Sequence, residues 1–232
     1  MALTRVNKPT VLERLSAPLF IGLSFAVIFL VLFAALAEEM LEGHTRQFDD
    51  AVRLFVHVHS YTELTAVMRF LSIIGSPTVV ALIAIASCIA LWLVGHPRRA
   101  ILIAVTVIGG SLLMWVLKLA FHRHRPDPFW GSRLPLSYSF PSGHAMLSFC
   151  FCLTAAALFS ASRNNLLVRI TIWTFWVSLS GAIGYSRLYL GVHYPSDVLA
   201  GYLAALVWSL AVGSTYQKWR KLPPPVTPTP SR

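Results

Sequence analysis

Charged residues are scarce in this sequence: Asp, Glu, Lys and Arg make up 12% of its 232 residues, whereas a typical soluble domain carries about a quarter. Acidic residues are the scarcest of these, at nine against 19 Lys and Arg. Since 56% of the residues are hydrophobic, the chain has too little polar surface to cover one water-soluble core. These shortages exclude an ordinary soluble domain and favour an integral membrane protein.

Cysteine is equally sparse. Cys88, Cys150 and Cys152 lie in apolar stretches, and their odd number argues against a disulfide framework. Because Cys150 and Cys152 point to different helix faces, we interpret all three as small packing residues rather than metal ligands. The sequence also lacks a nucleic-acid-binding motif or a basic face, so its net charge of +10 does not indicate a nucleic-acid partner.

Long apolar runs are what the sequence has in abundance. A helix needs about 20 mostly apolar residues to cross a bilayer. Six runs qualify: Ala17–Ala37, Pro77–Val94, Ala100–Phe121, Ser142–Ala161, Leu166–Ser186 and Pro195–Tyr216. The first exceeds the roughly 7–15 residues of a signal-peptide core, so we expect it to remain as a span. The sequence therefore predicts an all-α polytopic membrane protein with six transmembrane helices.

Two shorter segments separate the first and second spans. Asp49–Ser60 has Val52, Phe55, Val56 and His59 at helical spacing, and Thr62–Ile74 is apolar apart from Arg69. We predict that both form short interfacial helices. A strand over Arg53–His59 is the alternative, because that stretch is rich in valine.

The basic residues are distributed unevenly between the two sides of the predicted bundle. The N-tail, the Gly95–Arg99 turn, the Ser162–Asn165 loop with nearby Arg169, and the C-tail share one side, which carries 11 of the 19 basic residues but only one acidic residue, Glu13. By the positive-inside rule this side is cytoplasmic. The pattern predicts a cell (inner) membrane protein with both termini inside. Residues 1–221 would form one membrane domain, and residues 222–232 a disordered, Pro-rich cytoplasmic tail.

Ionisable residues near the ends of the spans fall into three clusters, and such residues in a membrane protein are functional candidates. The clusters are Lys118 with Arg125-Pro126, Pro141-Ser142-Gly143-His144, and Ser186-Arg187 with His193 and Asp197. The third and fifth spans run outward and end at these clusters, whereas the fourth and sixth begin there. All three clusters are therefore predicted to meet at the non-cytoplasmic face, towards the periplasm or exterior.

The chemistry of these residues indicates a phosphate site. Three cations, enough to surround one phosphoryl group, come from Lys118, Arg125 and Arg187. The N-termini of the fourth and sixth spans add N–H groups and the positive end of the helix dipole, and Gly143 allows close approach. His144 and His193 remain for the reaction. We expect no metal ion or other cofactor, because the surrounding cations would repel a divalent ion.

Simpler interpretations stay open for single residues of this region. Lys118 taken alone could be snorkelling to the interface. Arg123 and Arg133 could attract anions at a distance, and Asp127 could pair with a neighbouring arginine.

Taken together, the clusters resemble the signature of the type 2 phosphatidic acid phosphatase superfamily. That signature reads Lys-x6-Arg-Pro, Pro-Ser-Gly-His and Ser-Arg-x5-His-x3-Asp. This chain has KLAFHRHRP from Lys118 to Pro126, PSGH from Pro141 to His144, and SRLYLGVHYPSD from Ser186 to Asp197. Every specified residue and internal spacing matches, and the six-span layout extends the resemblance to most of the chain.

The resemblance implies metal-independent hydrolysis of a phosphate or diphosphate ester on a membrane lipid through a phosphohistidine. His193 would be the nucleophile, Asp197 would orient it, and His144 would protonate the leaving oxygen and then activate water. The phosphoryl oxygens would be bound by Lys118, Arg125, Ser142, Gly143 and Arg187. The implied partner is a phospholipid or polyprenyl phosphate, such as phosphatidylglycerol phosphate, phosphatidic acid or undecaprenyl diphosphate.

Two functions of other classes use the same kind of anion site. A vanadate-dependent haloperoxidase-like oxidoreductase is the first, and six spans argue against it because those enzymes are large and soluble. The second is a non-catalytic protein that binds or transports a lipid phosphate. A site lacking His144 or His193 would favour that function, and both residues are present.

Overall fold

The computed structural model of the chain describes residues 11–131 and 134–220, with side chains from residue 19 onward. Those residues form eight α-helices and no strand: α1 Val11–Leu41, α2 Arg46–Val58, α3 Thr62–Ile74, α4 Pro77–Leu93, α5 Pro97–Phe121, α6 Gly143–Ser160, α7 Leu166–Tyr189 and α8 Pro195–Trp219. The prediction of an all-α fold is confirmed. The predicted tail, residues 222–232, lies outside the described residues.

Five helices are long and apolar enough to cross a membrane, namely Leu19–Leu41 of α1 together with α5, α6, α7 and α8. A sixth span results when α3 and α4 are joined, although the pair is bent by 52°. The predicted apolar runs correspond to α1 and α4–α8. The short helices predicted between the first two runs are α2 and α3. The strand alternative at Arg53–His59 is wrong, because α2 continues to Val58.

Helix boundaries follow from local signals in the sequence. A proline begins α4, α5 and α8, where its missing N–H costs no helical hydrogen bond. Asn165 caps α7, since its side-chain oxygen accepts from the N–H groups of Leu167 at 2.9 Å and Val168 at 3.3 Å. After α5, His122 adopts a left-handed conformation with φ of 47°, and the chain leaves the helix towards the segment that precedes α6.

The core lies where α1, α5, α6 and α8 meet. α1 packs along α8, and α6 contacts α5, α7 and α8. Phe140, just before α6, is fully buried; its ring centroid is 4.9 Å from that of Phe121 and 5.8 Å from that of Phe33. This aromatic contact fixes the segment that delivers Ser142 and Gly143 to the bundle.

The short helix α2 packs against α7 and α8 and has an unusual inward face. Its buried residues are Asp49 and Val56, whereas Phe55 is 64% exposed. The apolar stripe predicted for this segment included Phe55 and His59, and both are exposed. A carboxylate therefore takes the place at the bundle surface that an apolar residue would usually occupy.

Candidate active site

Four helix ends meet at one end of the bundle, which we call the site end. Lys118 lies in the last turn of α5, His144 in the first turn of α6, Arg187 in the last turn of α7, and Asp197 in the first turn of α8. The backbone N–H of Ser142 donates to the carbonyl of Asp197 at 2.9 Å, which ties the start of α6 to the start of α8. The structure thus brings the three sequence clusters together.

His193 is 1% exposed and lies between a carboxylate and a guanidinium. Its Nδ1 is 3.3 Å from Asp197 Oδ2, and its Nε2 is 2.9 Å from the NH1 group of Arg125. Because arginine can only donate, Nε2 is the acceptor and the ring proton lies on Nδ1, directed at Asp197.

The protonation state of His193 follows from the same surroundings. Burial is the largest influence and lowers the pKa of His193 to about 3, assisted by the Arg125 and Arg187 cations and opposed by the hydrogen bond with Asp197. The imidazole is therefore neutral near pH 7 and keeps a lone pair on Nε2.

Asp197 is fully buried, and both of its carboxylate oxygens are engaged. Oδ2 accepts from the Ser139 hydroxyl and from the backbone N–H of Tyr194, the latter at 2.9 Å, in addition to its contact with His193. Oδ1 accepts from NH1 of Arg123 at 2.7 Å. A carboxylate bound at both oxygens has one orientation, so the ring it faces is oriented too.

Three cations surround the histidine from different elements. Arg125 donates to the carbonyls of Ser137 at 2.8 Å and Val192 at 3.0 Å; burial lowers the pKa of Arg125, with Asp197 opposing that shift. Lys118 Nζ donates to the carbonyl of Tyr138. Arg187 is 6% exposed and donates to the Ser72 hydroxyl of α3.

The Ser142 hydroxyl and Arg187 Nε are buried at the site end without a hydrogen-bond partner among the described residues. A buried polar group without a partner is destabilising. An anion bound here would satisfy a hydroxyl and a guanidinium N–H together.

The start of α6 supplies further donors. Its first-turn N–H groups have no acceptor within the helix, and the half-buried His144 lies within electrostatic range of Lys118, Arg125, Arg187 and His193. Gly143 has a packing role as well, because a Cβ there would lie 2.5 Å from Met114 Sδ of α5. The glycine allows the helix start to approach α5 closely.

The start of α8 differs from the prediction, which treated it as a second free anion site. Two carboxylates of this chain already occupy it. The Ser196 N–H donates to Asp49 Oδ1 at 2.9 Å, and the Tyr194 N–H donates to Asp197 Oδ2 at 2.9 Å. The helix dipole stabilises these internal anions, which leaves the α6 start for an external one.

Sequence reasoning missed four residues of this region, which are Asp49, Ser72, Arg123 and Ser139. Arg123, considered only as a distant attractor of anions, forms direct ion pairs of 2.7 Å with Asp49 and Asp197. Asp127 uses its backbone: its carbonyl accepts from Arg53 at 2.8 Å. The sequence holds one signal for Asp49, since it precedes Val52 and Val56 at helical spacing and so shares their inward face.

The chain is similar to a family model and to individual known proteins. Residues 99–221 match the family model described as "PAP2 superfamily". A lipid A 1-phosphatase of Rhizobium etli is 35% identical over 122 residues, which are 49% of this chain and 48% of that protein. A putative undecaprenyl-diphosphatase of Escherichia coli is 28% identical over 150 residues, which are 60% of this chain and 68% of that protein. The chain thus spans about half the length of the first relative.

The fold also has a counterpart among solved structures. The crystal structure of a transmembrane PAP2 type phosphatidylglycerolphosphate phosphatase from Bacillus subtilis superposes with a TM-score of 0.76 at 24% identity. The superposition covers 85% of this chain and 98% of that one. The helical arrangement described above is therefore that of a known membrane phosphatase fold.

Proposed function

Because the chain belongs to the PAP2 superfamily, we propose that it hydrolyses a phosphate or diphosphate ester on a membrane lipid, with His193 forming a phosphohistidine. The observation that carries this proposal is the position of His193. Its Nδ1 faces Asp197 at 3.3 Å, and its Nε2 faces the Arg125 guanidinium at 2.9 Å. An anion that takes over the N–H donors of that guanidinium lies beside Nε2, the ring nitrogen that carries the lone pair, and frees that lone pair from the Arg125 hydrogen bond.

In the first half-reaction, the Nε2 lone pair of His193 attacks phosphorus as the ester P–O bond breaks. The Nδ1 proton stays on the ring, where Asp197 accepts its hydrogen bond and stabilises the positive charge that develops. The bound phosphate offsets the cations around His144, and His144, protonated beside it, gives its proton to the leaving oxygen. The lipid alcohol departs and the phosphoryl group remains on His193.

In the second half-reaction, His144 accepts a proton from water as the water oxygen attacks phosphorus. The P–N bond breaks, its electrons return to Nε2, and inorganic phosphate is released. Lys118, Arg125 and Arg187 act with the Ser142 hydroxyl and the first N–H groups of α6 to bind the phosphoryl oxygens in both steps.

A lipid substrate is supported by where the site lies and by the relatives. The site lies at the ends of apolar helices, so a headgroup phosphate can approach His193 while its hydrocarbon chains remain in the bilayer. Two relatives are named lipid A 1-phosphatase and undecaprenyl-diphosphatase. Both names specify a phosphate group that is carried by a membrane lipid. The charge distribution along the sequence further favours a site end on the non-cytoplasmic face of the inner membrane, with both termini inside.

The test is phosphate release by the purified protein, in the presence of a strong chelator. The substrate panel is phosphatidylglycerol phosphate, phosphatidic acid, undecaprenyl diphosphate and a soluble monophosphate. We expect wild-type protein to hydrolyse at least one lipid faster than the soluble ester. His193→Ala should lower the rate more than about 10⁴-fold, the scale on which loss of a nucleophile acts.

The matched control is His96→Ala, because His96 is exposed at the opposite end of α5, and its rate should stay within about twofold of wild type. An active His193→Ala protein would eliminate the phosphohistidine. A wild-type protein that releases no phosphate from any substrate would leave binding or transport as the function.

A further inference from the structure

Asp49 is a buried charge outside the signature motifs. It is 0% exposed in a helix whose next residue, Asp50, has a side chain that is 56% exposed. Burying a carboxylate is strongly unfavourable unless it is paired and hydrogen-bonded. Asp49 meets that condition with three donors: Arg123 NH2 at 2.7 Å, the Ser196 hydroxyl at 2.6 Å and the Ser196 N–H at 2.9 Å.

Arg123 connects Asp49 to the site. Its NH2 group binds Asp49, while its NH1 group binds both Asp197 Oδ1 and the Ser196 hydroxyl at 2.7 Å. The guanidinium carbon also lies 4.1 Å from the centre of the Tyr194 ring. Burial disfavours the charged form, but Asp197 and Asp49 outweigh it and hold the pKa of Arg123 above its usual range. The bridge is therefore permanently cationic.

The bridge acts on the oxygen of Asp197 that His193 does not use. Oδ1 is bound by Arg123, and Oδ2 faces Nδ1 of His193. Without Arg123, the carboxylate could rotate about its last side-chain bond, and Asp49 and Asp197 would be two buried anions with no cation between them. Without Asp49, Arg123 would lose the group that anchors its other end.

We propose that Asp49 and Arg123 are positioning residues that fix the Asp197 carboxylate and, through it, the ring orientation of His193. This inference rests on the proposed function and deepens it. It makes α2, which precedes every signature motif, a part of the catalytic apparatus. Neither residue touches the substrate in this arrangement.

The experiment compares Asp49→Asn, Arg123→Lys and the double variant with the control Asp50→Asn. Asparagine keeps the shape of Asp49 but removes its charge. Lysine keeps the charge of Arg123 but lacks the planar fork whose two nitrogens bind Asp197 and Asp49 separately. Single-turnover kinetics with protein in excess over lipid, at several protein concentrations, give the saturating rate constant and the apparent substrate affinity separately. The saturating rate constant does not depend on the fraction of protein that is folded.

We expect the rate constant of each single variant to fall roughly 10- to 100-fold. This is the range found when the groups that hydrogen-bond and orient metal-binding histidines are removed. Substrate affinity should stay within about twofold, because the groups that bind phosphate are unchanged. Since the two residues act in series, the double variant should be no slower than the slower single variant. Asp50→Asn should match wild type.

A second readout does not require activity. In NMR of the histidine rings, the Nδ1–H proton of wild-type His193 should give a strongly downfield signal because it is hydrogen-bonded to Asp197, and Asp49→Asn should move that signal upfield. Equal rate constants for Asp49→Asn and Asp50→Asn would overturn the positioning role. A loss of affinity without a slower rate constant in Arg123→Lys would show that Arg123 binds substrate directly. An inactive wild-type protein would instead contradict the proposed function, and the NMR comparison would still test the positioning.

Discussion

At the scale of single residues, the site combines an uncharged base with fixed cations. Burial keeps His193 neutral, and the hydrogen bond from Arg125 to Nε2 leaves the proton on Nδ1. A neutral imidazole buried among cations is the form that an incoming phosphate needs, because a protonated one has no lone pair with which to attack. In the proposed mechanism, the surroundings of His193 thus prepare the nucleophile before substrate binds.

This state can be measured directly. The pKa of His193 is lowered to about 3, so its ¹⁵N signals should keep the chemical shifts of the neutral Nδ1–H tautomer from pH 8 down to pH 5. The signals are assigned by their loss in His193→Gln. Histidines of the protein unfolded in denaturant should titrate near the ordinary value of about 6.5.

The lowered pKa of His193 makes the stability of the folded protein depend on pH. A histidine that binds its proton only below about pH 3 when folded, but near 6.5 when unfolded, destabilises the folded state as the pH falls between those values. A titration midpoint of His193 near 6.5 would contradict the buried, neutral state and with it the assigned tautomer.

At the scale of helices, the crossing of α6 and α8 sets the distance between the anion site and the nucleophile. Gly201 of α8 faces the start of α6, where an added Cβ would lie 2.8 Å from the Ser142 carbonyl oxygen and 3.1 Å from the Ala145 Cβ. The nearest atom belongs to the backbone, so it cannot move aside as a flexible side chain could. Any residue larger than glycine must push the two helices apart.

Gly201→Ala should therefore impair both stability and catalysis. We expect overpacking to cost about 1–3 kcal/mol and a displaced start of α6 to slow turnover by up to about 100-fold. Thermal unfolding in detergent and single-turnover rates are the measurements. The control is Gly213→Ala on the same helix, where nothing lies within 4 Å of an added Cβ. Alanine there should be neutral or stabilising by up to about 1 kcal/mol; equal effects at both positions would contradict the close crossing.

The helices and the signature residues could be predicted from sequence because both depend on patterns among residues that are close in the sequence. Apolar runs of sufficient length mark spans, and fixed spacings mark motifs such as Pro141–His144. The contacts of Asp49 could not be predicted in this way, because its partners Arg123 and Ser196 are 74 and 147 positions away in the sequence. A buried ion pair of this kind depends on how α2 docks on the bundle. Likewise, no local pattern shows that Asp49 occupies the start of α8.

At the scale of the whole molecule, the three cations of the site lie away from most of the other basic residues. Lys118, Arg125 and Arg187 lie at the site end, yet most basic residues of the sequence belong to segments at the opposite end or to the termini. The cations of the site are therefore exceptions to the general distribution. Their burial and hydrogen bonds support the proposed role in phosphate binding rather than a role in the orientation of the chain.

Orientation can be tested with engineered cysteines and a membrane-impermeant maleimide, in spheroplasts whose inner membrane contains the protein. Gln47 is exposed on α2 beside Asp49, and Asn164 is exposed between α6 and α7 at the other end. The native thiols give little background, because Cys150 and Cys152 are buried and Cys88 is partly buried; the parent protein measures what remains. We expect Gln47→Cys to be labelled in intact spheroplasts and Asn164→Cys only after permeabilisation, because positive loops stay inside. The reverse pattern would place the site end in the cytoplasm, where it could reach only lipid phosphates of the inner leaflet.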